Sequence, residues 1–125
     1  MRNVVLVVAA LVSLACASKA GRIVPPNRNV ITADEIAKSN ASSAYEIIER
    51  LRPAFLRTRG SQSIQNPAPV SPVVYLDGMR FGPVSSLAQI PAIGVVSIQY
   101  LNAIDASQRF GLGNEGGAIL VSTKH

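Results

Sequence analysis

The chain contains 125 residues, of which 48% are hydrophobic and 15% charged, and its formal net charge is +5. Because a domain usually spans about 100–150 residues, this length excludes a two-domain enzyme and a long repeat array. One Cys and one His also exclude a disulfide framework and a multi-ligand metal site built by this chain alone, so we expect no metal and no cofactor.

The first fifteen residues are typical of a signal peptide. A single positive charge, Arg2, precedes an apolar run of about eleven residues that ends in small side chains, which is the layout of a secretory signal. The run is shorter than the roughly 20 apolar residues that span a bilayer. We therefore predict that residues 1–15 direct export from a bacterial cytoplasm.

The only cysteine lies at the end of this signal, where two processing routes compete. Ordinary cleavage after Ala17 satisfies the small-x-small rule. Residues 13–16 (SLAC) instead resemble a bacterial lipobox, although Ser13 stands where Leu is usual. We favour the second route, in which Cys16 is lipidated and anchors the protein to the membrane. Residues 16–30 then form a flexible tether and residues 31–125 the folded domain; the alternative is a soluble periplasmic or secreted protein.

Two short helices are predicted at the start of the domain. Thr32 and Glu35 have capping-box spacing, which predicts a helix over residues 34–38. Ser43 and Glu46 repeat that spacing, and Pro53 ends the second helix at the preceding residue. The second helix has one apolar stripe, expected to face a core, formed by Ala44, Ile47, Ile48 and Leu51.

The rest of the chain predicts short strands separated by turns. After a possible strand at 55–59 and a loop at 60–72, the β-forming run 73–76 meets the hairpin signal Asp77-Gly78, and the chain returns over 79–81. Residues 85–90 predict one or two helical turns. Residues 95–101 predict a strand with Val96, Ile98 and Tyr100 on one face. Asp105 is expected to cap a helix that ends at residue 110, and residues 118–123 are expected to form the last strand. The expected fold is α+β: one small domain with a mixed, short-stranded sheet and the 44–51 helix packed on it.

The glycine-rich segment 111–116 (GLGNEG) matches the dinucleotide-binding fingerprint literally. That fingerprint requires a strand before it and a helix after it, so that backbone amides meet the pyrophosphate. Here a helix precedes and a strand follows. We therefore predict that these glycines make a tight turn, not a nucleotide site.

Catalysis and nucleic-acid binding are not indicated. The only histidine is the terminal His125, and the carboxylates are explained by helix caps and turns. The densest basic cluster, within residues 50–59, contains Phe55 but no further aromatic side chain for stacking. A modest basic excess predicts weak affinity for anionic surfaces instead of a nucleic-acid partner.

Taken in order, these segments resemble the plug domain of TonB-dependent outer-membrane receptors. The similarity covers about residues 30–124, and the hairpin and closing segments carry most of it. The matching segments are 31–36 (ITADEI), 44–53 (AYEIIERLRP), 73–78 (VVYLDG), 90–101 (IPAIGVVSIQYL), 106–111 (ASQRFG) and 116–124 (GGAILVSTK).

The sequence also departs from that family. A receptor continues past the position of Lys124 into a large barrel, whereas this sequence ends at His125. No TonB box is evident before Ile31, and Ala54 replaces the glycine usual after Pro53. The resemblance therefore implies a plug-like domain without the barrel, which by itself transports nothing.

We accordingly expect a non-enzymatic, exported binding or interaction domain that faces the periplasm at the outer membrane. The resemblance implies an accessory of uptake, with a barrel or TonB-type envelope protein as partner or a small ligand such as a siderophore or glycan. One alternative is a co-opted envelope protein with no transport role. Another is an exported enzyme with a carboxylate cleft around Asp77 or Glu115.

The expected contact surface lies in the loops, because loops on a rigid scaffold commonly carry recognition. The candidate loops are 60–72, 77–83 and 111–117. The candidate contact residues within them are Arg80, Phe81, Asn114 and Glu115.

Overall fold

A computed structural model describes residues 27–59, 64 and 69–125. The predicted signal peptide and Cys16 lie outside the described residues, as do most of the tether and of the 60–72 loop. Within the described part of the chain, no helix combines the length and apolar character needed to cross a membrane.

Five strands form one mixed sheet in the order β1-β4-β5-β2-β3. Strands β2 and β5 are parallel, and the other neighbouring pairs are antiparallel. The small α+β domain predicted from the sequence is thus confirmed. The strands are β1 (Val30–Ile31), β2 (Val73–Leu76), β3 (Met79–Pro83), β4 (Val95–Leu101) and β5 (Ala118–Thr123).

In the described part of the chain, three α-helices and three short 3-10 segments lie around the sheet. The helices are α1 (Ala33–Ser39), α2 (Ala44–Leu51) and α3 (Ala103–Phe110). The 3-10 segments are Pro53–Leu56, Val84–Gln89 and Ala92–Gly94. Helices α1 and α2 contribute to the core on one face of the sheet, and α3 packs on the other.

Side-chain caps fix the starts of α1 and α2. At α1, the backbone N–H of Thr32 donates to Glu35 Oε2 at 2.9 Å, as the capping-box spacing predicts. At α2, the Ser43 hydroxyl accepts from the backbone N–H of Glu46 at 3.3 Å. The carboxylate of Glu46 is bonded to Ser42, whose N–H and hydroxyl donate at 2.7 and 2.8 Å, so the reciprocal half of the predicted box involves Ser42 and not Ser43.

The larger core lies between the sheet and the α1–α2 layer. Ala44, Ile47 and Ile48 of the α2 stripe are fully inaccessible to solvent, as predicted, and Leu51 is partly buried against the core. The stripe packs against strand side chains that point to the same face of the sheet, including Val74, Ile98, Ile119 and Val121. Each such side chain contributes roughly 1.5–3 kcal/mol by leaving water, so the larger of the two core clusters makes the larger hydrophobic contribution to stability.

Three local expectations are corrected by the structure. Residues 53–56 form a 3-10 turn instead of the start of a 55–59 strand, because Pro53 fixes a helical φ there. Helix α3 begins at Ala103, with Asn102 as its cap: the Asn102 carboxamide oxygen accepts from the N–H of Asp105 at 2.9 Å. Asp105 therefore sits inside the first turn.

The third correction concerns the face of β4. The predicted alternation places Val96 with Ile98, yet Val96 is 41% exposed while Val95 is buried with Ile98. The pairing with β5 shifts between Val95 and Ser97. A β-bulge adds one residue and so reverses which side chains face inward.

The glycines before β5 allow close backbone approach. A Cβ on Gly116 would collide with the carbonyl of Ser71, although Gly116 is not among the positive-φ glycines. Gly117 has a φ of +89°, and a Cβ there would lie 2.6 Å from the Leu101 oxygen. The tight turn predicted for this segment is confirmed.

We expect Gly116→Ala to lower the free energy of unfolding by roughly 2 kcal/mol or more, because the added methyl has no room beside backbone that cannot rotate away. Gly94→Ala is the matched control: nothing lies within 4 Å of its Cβ position. Its effect should stay within about 0.5 kcal/mol. Urea unfolding of both variants measures the difference, and equal stabilities would contradict the packing argument.

Candidate functional site

Two of the predicted contact loops lie against each other. Arg80 is on strand β3, and its guanidinium approaches residues 111–117, which we call the glycine loop: Nη1 lies 3.6 Å from the position a Cβ would take on Gly113. Arg80 also lines a cavity of about 400 Å³ with Gly82 and residues 71–73. The hairpin and the glycine loop thus share one surface.

Strand β3 is an edge of the sheet. It pairs with β2, and among the described residues no strand pairs with its outer side. Met79 and Phe81 are 76% and 41% exposed, and Arg80 between them is exposed as well. We call Met79, Arg80 and Phe81 the hairpin surface. It combines two apolar side chains and one positive charge with the outer backbone edge of β3, and such an edge is what an added strand pairs with.

Asn114 is not part of that exposed surface. Its side chain is 1% exposed; its carboxamide oxygen accepts from the Tyr75 hydroxyl at 3.0 Å, and its amide donates to the Gly111 carbonyl at 2.9 Å. The ring of Tyr75 stacks on Phe110 with centroids 3.8 Å apart. The prediction that Asn114 offers a surface contact is therefore corrected: this side chain ties the glycine loop to β2 through Tyr75 and closes the loop on itself through Gly111.

Glu115 is exposed and faces α3. It lines a cavity of about 500 Å³ with Ala103, Ile104 and Gln108, and Ile104 is 71% exposed. The neighbouring positions 114 and 115 therefore point in opposite senses, one into the fold and one to solvent. A glycine-rich loop lacks the regular spacing of a helix or strand, so the sequence alone does not predict which of its side chains is buried.

Asp77 has a structural role at the hairpin turn. It adopts a φ of +49°, and its carboxylate accepts from the N–H and hydroxyl of Thr123 at 2.8 and 2.5 Å. The Thr123 hydroxyl and then its N–H lower the pKa of Asp77, with a smaller contribution from His125. The hairpin is thereby held to the end of β5.

A groove on the other side of the molecule was not anticipated from the sequence. Its volume is about 390 Å³, and we call it the arginine groove; it is lined by Arg28, Asn29, Arg52, Ala54, Phe55, Arg59 and Tyr100. The basic cluster within residues 50–59 is visible in the sequence. Arg28 and Tyr100 join this basic cluster only because β1 pairs with β4. Next to that pairing, the Tyr100 N–H donates to the Asn29 carbonyl at 2.8 Å.

Within residues 27–59, 64 and 69–125, no group of three or more His, Cys, Asp or Glu side chains is arranged to bind a metal ion.

Comparison with known proteins adds no relative to this picture. No protein-family model, curated protein or solved structure matches the chain.

The carboxylate of Asp77 generates a pH-dependent prediction. Because its folded-state pKa lies below its unfolded value, its stabilising effect is complete above the ordinary carboxylate range and is lost as pH falls through the folded pKa. Asp77→Asn keeps a residue that tolerates the positive φ. We expect this variant to be less stable than the parent at pH 7, and the gap to narrow below about pH 4. Denaturant unfolding at pH 7, 5 and 3 measures the gap; a gap independent of pH would refute the charge-assisted bond.

Asn114 and Glu115 give a matched pair of variants. Asn114→Ala leaves the buried Tyr75 hydroxyl without a partner, so we expect a loss of about 1–3 kcal/mol in unfolding free energy. Glu115→Ala should change it by less than about 0.5 kcal/mol. Thermal and urea unfolding measure both. Comparable losses in the two variants would mean that Asn114 does not fix the loop.

Proposed function

We propose that this chain is an exported, non-enzymatic interaction domain, anchored through a lipid on Cys16, that serves as an accessory of an outer-membrane uptake system. The signal-like residues 1–15 and the lipobox-like residues 13–16 support export and anchoring. The plug-like order of segments supports the link to uptake. The partner is a barrel or TonB-type envelope protein.

The hairpin surface is the observation that carries the interaction proposal. An exposed edge strand offers a row of backbone donors and acceptors to an extended segment of a partner. Met79 and Phe81 supply apolar contacts, and Arg80 favours a segment with an acidic side chain opposite it.

The hairpin surface is also held in place before any partner arrives. Strand β3 is paired with β2 on both sides of a β-bulge at Phe81, and Asp77 binds Thr123 at the turn. A partner therefore does not need to order the strand, which lowers the entropic cost of association. This pre-organisation supports recognition by β3 more than recognition by a loop that folds on binding.

Lipid anchoring is tested by metabolic labelling with palmitate. We expect the full chain to incorporate the label and to fractionate with the outer membrane, because a lipidated Cys16 becomes the mature N-terminus. Cys16→Ala should lose both properties, whereas Ser18→Ala, two positions later, should keep both. Absence of label, together with identical fractionation of the Cys16 variant, would refute anchoring and leave a soluble exported protein.

The partner is tested by placing a photo-reactive aromatic residue at position 81 in cells. We expect an adduct with a barrel or TonB-type protein, weakened when Arg80→Glu is added because the charge opposite the partner is reversed. The same residue at the exposed position of Glu49 on α2 is the control and should not give that adduct. Identical adducts from both positions, or adducts with many envelope proteins, would favour the co-opted structural role instead.

A further inference from the structure

The arginine groove is a second site, at the opposite edge of the sheet from the hairpin surface. Residues 28 and 29 lead into β1, and Tyr100 lies on the neighbouring β4, whereas the hairpin surface is on β3 at the other end of the order β1-β4-β5-β2-β3. With a volume of about 390 Å³, the groove falls in the range of small-molecule sites. A partner on β3 would not cover it.

The groove carries an excess of positive charge. Three of its lining residues are arginines, and the described lining contains no Asp or Glu. Arg52 is neutralised from one side, since its Nη2 donates to Glu35 Oε1 at 2.8 Å. Within the described residues, no carboxylate forms an ion pair with Arg28 or Arg59. These two guanidinium groups supply the net charge that an anion would meet.

Backbone hydrogen bonds hold both of these arginines in position. Arg59 and Val70 exchange two bonds, with N–H to O distances of 3.0 and 3.1 Å. Arg28 lies in a turn closed by the Val30 N–H donating to the Asn27 carbonyl at 2.9 Å. The backbone at both arginines is therefore held by hydrogen bonds, and both side chains line the same groove.

The groove also has an aromatic lining. The rings of Phe55 and Tyr100 stack with centroids 5.2 Å apart and an interplanar angle of 21°. Phe55 is 5% exposed and Tyr100 is partly buried, so Phe55 holds the Tyr100 ring from behind and Tyr100 offers the larger accessible area to a ligand. Stacked rings favour a flat, apolar body, and guanidinium groups favour carboxylate, phosphate or sulfate.

We propose that the arginine groove binds a small organic anion, with its flat apolar body against Phe55 and Tyr100 and its negative group between Arg28 and Arg59. A concave site of this size fits a discrete molecule better than the plane of a membrane. This site does not depend on the partner proposed for the hairpin surface, and either one stands if the other fails.

The experiment titrates the full, ¹⁵N-labelled chain with 2-naphthoate and follows backbone amide shifts by NMR. We expect saturable shifts at Asn29, Ala54 and Arg59, and a Kd at least about tenfold lower than that of 2-naphthamide, which has the same ring and no charge. Inorganic phosphate, which has the charge and no ring, should compete with a Kd at least about tenfold higher than that of 2-naphthoate.

Arginine variants provide the matched controls. Arg28→Ala and Arg59→Ala should each raise the Kd for 2-naphthoate by about fivefold or more, whereas Arg57→Ala should change it by less than about twofold because Arg57 does not line the groove. Equal weakening by Arg57→Ala and Arg59→Ala would overturn the proposal, as would equal affinity for 2-naphthoate and 2-naphthamide. Binding to phosphatidylglycerol vesicles that needs Arg59, with no binding of 2-naphthoate, would assign the arginines to a lipid surface and also overturn it.

Discussion

The burial of β5 on both faces is the constraint on which the rest of the fold depends. Residues 118–121 are buried without interruption, and the strand is hydrogen-bonded to β4 on one edge and β2 on the other. Ile119 and Val121 pack toward α2, while Ala118 and Leu120 pack toward α3. Because a strand alternates its side chains, a second layer must cover each face. The two-sided architecture follows from that requirement.

The same constraint decides how the chain enters β5. The glycine loop must turn from the end of α3 into the centre of the sheet, where backbone from residues 71–72 and Leu101 leaves no space for a Cβ on Gly116 or Gly117. Asn114 and Tyr75 then satisfy each other's polar groups inside this turn. The glycines of the literal match to a nucleotide fingerprint thus have two structural reasons: Gly111 and Gly113 adopt positive φ, and Gly116 lies where a Cβ would collide with the Ser71 carbonyl.

Because the central strand β5 is covered on both faces, the exposed edges of the sheet, at β1 and β3, are the places where a ligand or partner can bind. The hairpin surface lies at the β3 edge, and the arginine groove lies at the β1 edge, where α2 ends and residues 53–59 follow. The first offers a backbone edge with apolar side chains, which suits an extended peptide. The second offers charge beside stacked rings in a concavity, which suits a small anion. The two chemistries are different, so the proposed roles are separable.

Local sequence signals were sufficient for most elements. The capping spacing of Thr32 and Glu35, the apolar stripe of α2, the Asp77-Gly78 turn and the bounds of β5 all follow from interactions within a few residues. Two of the failures, at residues 53–56 and at the cap of α3, concern local features. The others occur where a distant contact decides the outcome. The bulge that exposes Val96 depends on its pairing with β5, and the burial of Asn114 depends on Tyr75, 39 residues away.

The sequence by itself determined the fold class, the positions of the three α-helices and of strands β2 to β5, and the exposed character of Arg80 and Phe81, because periodicity and turn chemistry are local. Only the tertiary structure decided that Asn114 turns inward while Glu115 turns outward, and that Arg28 and Tyr100 join Arg59 in one groove. Those outcomes depend on strand order and register, which bring residues together across long stretches of chain, and no local pattern encodes which strands become neighbours.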